Sequence, residues 1–405
     1  METRIKQAIE QEMKTARTPF YLYDQQTVVE RVGQLQRALP AELLYSVKVN
    51  NYAPVVKTIF EAGVGADAAS LQEVEMAAAF GLPREKILYS APARTREELA
   101  RAMDKCIVTA DSFGELTQLD RLAAEKGVVA PVGVRLNPNF TMFAGTGAPS
   151  KFGIDEEQFL EAGEFLASLR HLRIVGLHIH VATQILDAAL LCTYYGRVLE
   201  LTRKVRRHLE LPLEFVTMGG GIGLVYDKGE PLDLERVGAC LAELKEGFAQ
   251  LGVSRMIVET GRFLVCECGY YCARIVDIKQ SRGEKFLLVQ NTLNGFLRPA
   301  LCQMIEGFLP GRDDLPPNEP YYTSKHAFGY SILGGKEDEE TVSVGGHLCT
   351  AADIIVRGIQ LPRAEVGDIL VVDKAGSYAY ALSPVQFSGH PAPYQVMLTR
   401  DGQHI

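Results

Sequence analysis

The sequence predicts a (β/α)8 barrel joined to a C-terminal antiparallel β domain. Eight short β-rich runs alternate with helix-period segments between residues 43 and 261, and that helical periodicity stops after Gly261. A chain of 405 residues with 47% hydrophobic content also has enough mass for two cores. The expected division is a barrel over 25–262 and a β domain over 263–405, which residues 1–24 join.

Met1–Arg17 mixes charges with scattered Ile5, Ile9 and Met13, and has neither the apolar stretch of a signal peptide nor a transit-peptide composition. Thr18–Asp24 reads as a strand that precedes the barrel and pairs with the C-terminal sheet. The barrel strands are expected within 43–49, 64–70, 86–92, 106–111, 129–137, 174–181, 215–221 and 256–261. Between them lie helical patterns such as Ser70-Leu-Gln-Glu73, with capping-box spacing, and Asp111–Ala124, with Phe113, Leu116, Leu119 and Leu122 on one face. Eight successive units favour a barrel over an open doubly wound sheet, which is the alternative. Beyond Gly261, the runs 286–289, 341–344, 354–359 and 369–372 are separated by Gly, Pro and Asp turns, so an all-β domain is expected there.

A formal charge of −8 without a Lys/Arg cluster argues against nucleic acid and anionic membrane as partners. No window approaches the ~18 continuous apolar residues of a membrane span. Eight dispersed cysteines suit reduced thiols and a cytoplasmic protein. Cys266, Cys268 and Cys272 lie in a run, 263–278, that reads as a strand of small apolar residues, and no metal site is expected.

The chemistry-bearing residues fall at the C-terminal ends of the expected strands, where a barrel builds its pocket. Lys48, in Leu44-Tyr-Ser-Val-Lys-Val49, is expected to have a pKa lowered by desolvation, which frees its amine to attack an aldehyde. A strand-end lysine reaching solvent is the alternative. Met218-Gly-Gly-Gly-Ile-Gly223 follows the seventh strand, where backbone N–H groups can close around phosphate, although a tight turn also explains its glycines. Glu259, in Val258-Glu-Thr-Gly-Arg262, could hold a pyridinium nitrogen protonated or form a rim ion pair with Arg262. His178 and His180 share one face of the sixth strand, suited to stacking on an aromatic cofactor or to ligating metal. Together these residues fit a phosphorylated aromatic cofactor, and pyridoxal 5′-phosphate fits best.

At these positions the chain resembles the fold-type III pyridoxal-phosphate decarboxylases, the family of diaminopimelate and ornithine decarboxylases. The likeness runs from Thr18-Pro-Phe-Tyr-Leu-Tyr to Gly389-His-Pro. Tyr45-Ser-Val-Lys48-Val-Asn50 matches the motif of the Schiff-base lysine, and Asp67-Ala-Ala-Ser70 matches Asp-x-x-Ser. Arg135 matches an arginine near the cofactor, and Ser150-Lys-Phe-Gly-Ile154 matches a family landmark. The resemblance assigns ring stacking to His180, a hydroxyl near the phosphate to Thr183, the phosphate loop to Gly219, Gly220 and Gly221, and the pyridinium partner to Glu259. Arg262 matches the arginine of Glu-Pro-Gly-Arg, with Thr260 in place of the proline. Gly345-Gly-His-Leu-Cys349-Thr-Ala-Ala-Asp353 and Ala375-Gly-Ser-Tyr378 complete the match. They imply that Cys349 reaches a neighbouring subunit's site, that Tyr378 approaches the phosphate, and that the enzyme is a homodimer with shared active sites.

The implied reaction removes the α-carboxylate of an amino acid as carbon dioxide, with Cys349 and Asp353 joining Lys48 as catalytic residues. Arg298 matches an arginine that binds a substrate carboxylate. Thr350, however, stands where diaminopimelate decarboxylases carry a glutamate for the distal amino group, and Cys302 stands where they carry tyrosine. Leu348-Cys-Thr350 and Ser383–Pro391 look more like relatives in secondary metabolism that act on amino-acid conjugates, either siderophore intermediates or a glutamyl group on a carrier protein. Diaminopimelate decarboxylase, an amino-acid racemase and an inactive regulatory relative are the alternatives.

Overall fold

The computed structural model describes residues 1–16, 19–143, 145–312, 320–322, 324 and 326–405. Ile5, Ile9 and Met13 recur every fourth residue, and their apolar face makes helix α1 (Thr3–Glu12) and its C-cap a buried segment. Strand β1 (Phe20–Asp24) follows, and Thr18, where the expected strand begins, lies outside the described residues. Asp24 caps the next helix, α2 (Gln25–Ala38), by accepting from the N–H groups of Gln26 and Thr27.

The barrel then alternates β2 (Glu42–Ser46), α3 (Ala53–Glu61), β3 (Gly65–Ala68), α4 (Leu71–Ala79), β4 (Ile87–Ser90), α5 (Arg96–Ala102), β5 (Ile107–Ala110) and α6 (Phe113–Glu125). It continues through β6 (Ala130–Asn137), the two-residue β7 (Ile154–Asp155), α7 (Glu156–Leu160), α8 (Gly163–Ser168) and β8 (Leu172–Ile179). The last units are α9 (Ala188–Leu209), β9 (Phe215–Thr217), α10 (Leu234–Gln250) and β10 (Arg255–Thr260). Strands β2, β3, β4, β5, β6, β8, β9 and β10 pair in parallel in that order, and the β10–β2 pairing closes the ring. Each expected run overlaps one of these strands, β2, β8 and β10 beginning one or two residues earlier, and the ring of pairings excludes the open-sheet alternative.

Inside the barrel, Leu44, Leu88, Ile107, Val175, Phe215 and Ile257 form a separate apolar cluster. Gly133 and Gly176 make room for Phe215, because a Cβ on Gly176 would stand 2.1 Å from its ring. Capping at Ser70 follows half of the expected box. Its hydroxyl accepts from Glu73 N–H at 3.3 Å, whereas the Glu73 carboxylate accepts from Ala69 N–H at 2.6 Å.

After β10 the chain turns through α11 (Arg262–Val265) and a 3₁₀ turn, Cys266–Cys268, before β11 (Gly269–Ser281). The run 263–278 is thus a strand only from Gly269 onward. The preceding turn packs on Gly376, whose N–H donates to Cys266 O at 3.1 Å. The remaining elements are β12 (Glu284–Val289), α12 (Leu297–Phe308), β13 (Tyr330–Leu333), β14 (Glu339–Gly345), β15 (Ile354–Pro362), β16 (Ile369–Val372) and β17 (Tyr394–Leu398). They form a sheet of order β13-β16-β11-β12-β14-β15, while β1 pairs antiparallel with β11 and parallel with β17.

Helix α12 corrects the all-β expectation for this region. Pro299 sits in its first turn, where a missing N–H breaks no helical bond, and the helix buries Arg298, Pro299, Ala300 and Cys302. Cys266, Cys268 and Cys272 are buried free thiols whose pKa values burial raises. Among the described residues no helix is long and apolar enough to cross a membrane.

Candidate active site

A cavity of about 470 Å³ lies at the C-terminal ends of the barrel strands. Lys48, Asp67, Arg135, His180, Thr183, Gly220, Gly221, Glu259, Arg262 and Tyr378 all line it. They come from six barrel strands or the loops that follow them and from one loop of the β domain. Closure of the barrel therefore assembles what the sequence scatters over more than 300 positions.

Beyond β2 the backbone tightens into the 3₁₀ turn Val47–Val49, which carries Lys48 into the cavity. The surrounding protein desolvates the amine and by itself would lower its pKa. The charges of Asp67, Tyr378 and Glu259 outweigh that effect, so the net shift is upward. The lowered pKa expected from the apolar run around Lys48 is thereby corrected, because its cavity neighbours are acidic. Asp67, on β3, accepts a 2.6 Å hydrogen bond from Ser46 Oγ. Burial raises its own pKa, and Glu259 adds to the rise.

Strand β9 ends at Thr217 and the glycine loop begins. Gly219 has φ +66°, and a Cβ there would stand 2.6 Å from both His180 Nδ1 and Ile179 O, so the loop requires glycine. Gly219 N–H donates to Thr217 Oγ1 and Gly220 N–H to His180 Nδ1, each at 3.1 Å. The carbonyl oxygens of the loop are turned toward protein donors: Tyr194 for Met218, Glu259 N–H for Gly219, Tyr195 for Gly220 and Ile185 N–H for Gly221. Among the described residues, the N–H groups of Gly221 and Ile222 meet no protein acceptor. Both residues line the cavity, and such paired donors suit a phosphate.

His180 serves as acceptor in its neutral form, since desolvation lowers its pKa to about 3. Glu259 is 6% exposed, and burial opposes its ionisation. His178 and the Thr217 hydroxyl offset that penalty and hold its carboxyl well below the usual carboxylate range. An anionic carboxylate inside a cavity that also holds a phosphate-type cradle and an amine suits a protonated ring nitrogen. The donors present thus fit pyridoxal phosphate.

Arg135 lies 4.4 Å over the Phe152 ring, and desolvation lowers its pKa. Arg262 donates to Tyr226 Oη at 2.9 Å and lies 4.9 Å from the Tyr378 ring. Tyr378 has φ +48°, and its N–H bonds Val49 O at 2.9 Å, which ties the β domain to the strand end that carries Lys48.

Five expected site residues do not line the cavity of a single chain, one of them Gly219 of the glycine loop. Arg298 is 1% exposed, packs against Tyr226 and Phe328 and donates to Ser377 O at 3.3 Å. Cys349 is exposed and Thr350 half-buried on the loop after β14. Asp353 is buried and organises that loop by accepting from Leu293 N–H at 2.9 Å, Leu348 N–H at 2.8 Å and the Thr292 hydroxyl. Sequence reasoning missed Ser46, Thr217 and Tyr226. A small polar residue at a strand end was the available signal for the first two, whereas nothing local marks Tyr226.

The chain matches the pyridoxal-binding domain of the pyridoxal-dependent decarboxylases over residues 25–266. It is 28% identical to the L-glutamyl-acyl-carrier-protein decarboxylase of Niallia circulans, covering 96% of this chain and 91% of that protein. It is also 28% identical to a diaminopimelate decarboxylase of Archaeoglobus fulgidus, covering 95% and 88%. Its fold superposes on the crystal structure of Helicobacter pylori diaminopimelate decarboxylase complexed with L-lysine with a TM-score of 0.83, covering 98% and 95% at 24% identity. The family match spans the closed barrel and every strand end around the cavity, and the chain belongs to the pyridoxal-dependent amino-acid decarboxylases, with pyridoxal 5′-phosphate as its cofactor.

Proposed function

We propose that the enzyme decarboxylates an amino-acid conjugate, such as a carrier-linked glutamate or a siderophore intermediate, to an amine and carbon dioxide. The observation that carries this reading is Thr350, which offers no charge to a distal ammonium and stands beside Cys349. Similarity to the carrier-linked glutamate decarboxylase points the same way. This reading divides the chain into a barrel, 25–262, and a β domain, 263–405 with 1–24. It places a homodimer in the cytoplasm, consistent with eight free thiols.

When bound, pyridoxal phosphate supplies an electron-poor ring that accepts the electron pair left at Cα by departing carbon dioxide. Lys48, whose amine reaches the cavity, would hold the cofactor through its aldehyde. Gly221 and Ile222 N–H, with Thr183, Arg262 and Tyr378, hold the phosphate. His180 would pack against the ring, and Glu259 would hold its nitrogen protonated. Asp67 and Arg135 set the charge around Lys48. Cys349, held on its loop by Asp353, enters the neighbouring subunit's site and delivers a proton to Cα.

A screen of carbon dioxide release tests the substrate assignment, using diaminopimelate, lysine, ornithine, arginine, glutamate and carrier-linked glutamate. A conjugate is expected to give the highest kcat/KM. Free diaminopimelate as the best substrate would instead support the second reading, diaminopimelate decarboxylase, which the retained Arg298 favours. Under the proposed reading, Thr350→Glu is expected to raise kcat/KM for diaminopimelate by roughly 10- to 100-fold, the value of one charge-assisted hydrogen bond. No gain would count against Thr350 as a substrate residue.

Asp67→Asn removes the leading charge that raises the Lys48 pKa. Capture of pyridoxal phosphate by cofactor-free protein requires the neutral amine, so the pH profile of capture, followed by absorbance, is expected to move toward lower pH. An unmoved profile would separate Asp67 from Lys48.

A further inference from the structure

We propose that His178 and Thr217 are positioning residues that aim the Glu259 carboxylate at the cofactor's ring nitrogen by binding the same carboxylate oxygen. The inference rests on the assignment of Glu259 to that nitrogen and extends it to two residues with no assigned part in the reaction. Thr217 Oγ1 donates to Glu259 Oε1 at 2.6 Å, and His178 Nε2 lies 3.0 Å from that atom. His178, Thr217 and Glu259 are 3%, 0% and 6% exposed, so no water competes freely for these contacts.

The direction of each contact is determined locally. Thr217 Oγ1 already accepts the Gly219 N–H, which leaves its own proton for Glu259. The same hydroxyl thereby joins the glycine loop to the carboxylate, so the phosphate end and the nitrogen end of the cofactor share one anchor. His178 can approach an anionic oxygen only as a donor through Nε2. Its Nδ1 is buried without a hydrogen-bond partner among the described residues. Leaving that nitrogen unsatisfied is destabilising, and an apolar residue would avoid the penalty. The contact to Glu259 is what a histidine provides there and an apolar residue would not. Both donors converge on Oε1, and among the described residues no protein hydrogen bond reaches Oε2, which remains to accept from the ring nitrogen.

Without these donors, a buried carboxylate surrounded by protein takes the proton from the ring nitrogen and becomes neutral. The test is nitrogen NMR of protein loaded with pyridoxal phosphate isotopically labelled at the ring nitrogen, without substrate. Wild-type protein is expected to show a protonated pyridinium. His178→Phe and Thr217→Val are each expected to shift the resonance toward unprotonated pyridine, and His178→Gln, which keeps a donor, to shift it less than His178→Phe. On a Glu259→Gln background His178→Phe is expected to add no further shift, because the coupling runs through that carboxylate. Should the phenylalanine variant not fold, Thr217→Val decides the question with little change in volume. Wild-type resonances in both His178→Phe and Thr217→Val, with a shifted one in Glu259→Gln, would overturn the proposal. An unshifted Glu259→Gln would instead overturn the assignment of Glu259 itself, and this inference with it.

Discussion

Lys48→Ala is expected to give folded protein that lacks the absorbance band of covalently held cofactor and turns over more slowly by on the order of 10²–10⁴-fold or more. Lys48 is the one lysine lining the cavity among the described residues, so no second amine there can replace it. Its surroundings explain the size of the loss. Asp67, Tyr378 and Glu259 favour a charged lysine, and the same setting would favour positive charge on the lysine nitrogen when it holds the cofactor. The phosphate cradle, His180 and Glu259 remain in the variant, so reversible binding persists while the covalent anchor and its proton transfer are lost. Borohydride treatment of wild-type protein followed by peptide mass analysis is expected to place the reduced adduct on Lys48. A band that survives in Lys48→Ala, or an adduct on another lysine, would displace Lys48 from the centre of the site.

Cys349→Ala is expected to leave the cofactor band intact and to reduce turnover, or to misdirect protonation at Cα, on the order of 10²-fold or more. In one chain Cys349 is exposed and outside the cavity, whereas the loop that carries it is tied down by buried Asp353. An exposed thiol on an ordered loop is consistent with a role in a neighbouring copy's site. Mixing the inactive Lys48→Ala and Cys349→Ala proteins under subunit exchange is therefore expected to recover about a quarter of wild-type activity. Half of the dimers are then mixed, and each mixed dimer holds one intact site of two. Failure to complement, with exchange verified by mass, would place Cys349 and Lys48 in the same chain's site or remove Cys349 from the chemistry.

The eight barrel strands were legible because each is a short β-rich run bounded by helical pattern, a property of neighbouring residues. Lys48, the glycine loop, Glu259 and His180 were legible for a related reason: a barrel strand places its last residues at the site whatever the intervening helix contains. Helix α12 was less so, since Pro299 reads as a break until it falls in the first turn, where it breaks nothing. The upward shift of the Lys48 pKa could not be read locally. It depends on Asp67, Glu259 and Tyr378, which lie 19, 211 and 330 positions away along the chain. The sequence by itself determined the architecture, the cofactor class and the strand ends that line the cavity, because those follow from periodicity and local motif. Only the tertiary structure decided the sign of the charge balance at Lys48, the two loop N–H groups left without a protein acceptor among the described residues and the double contact on Glu259 Oε1. These are Coulombic and hydrogen-bonding terms among residues that meet only when the barrel closes.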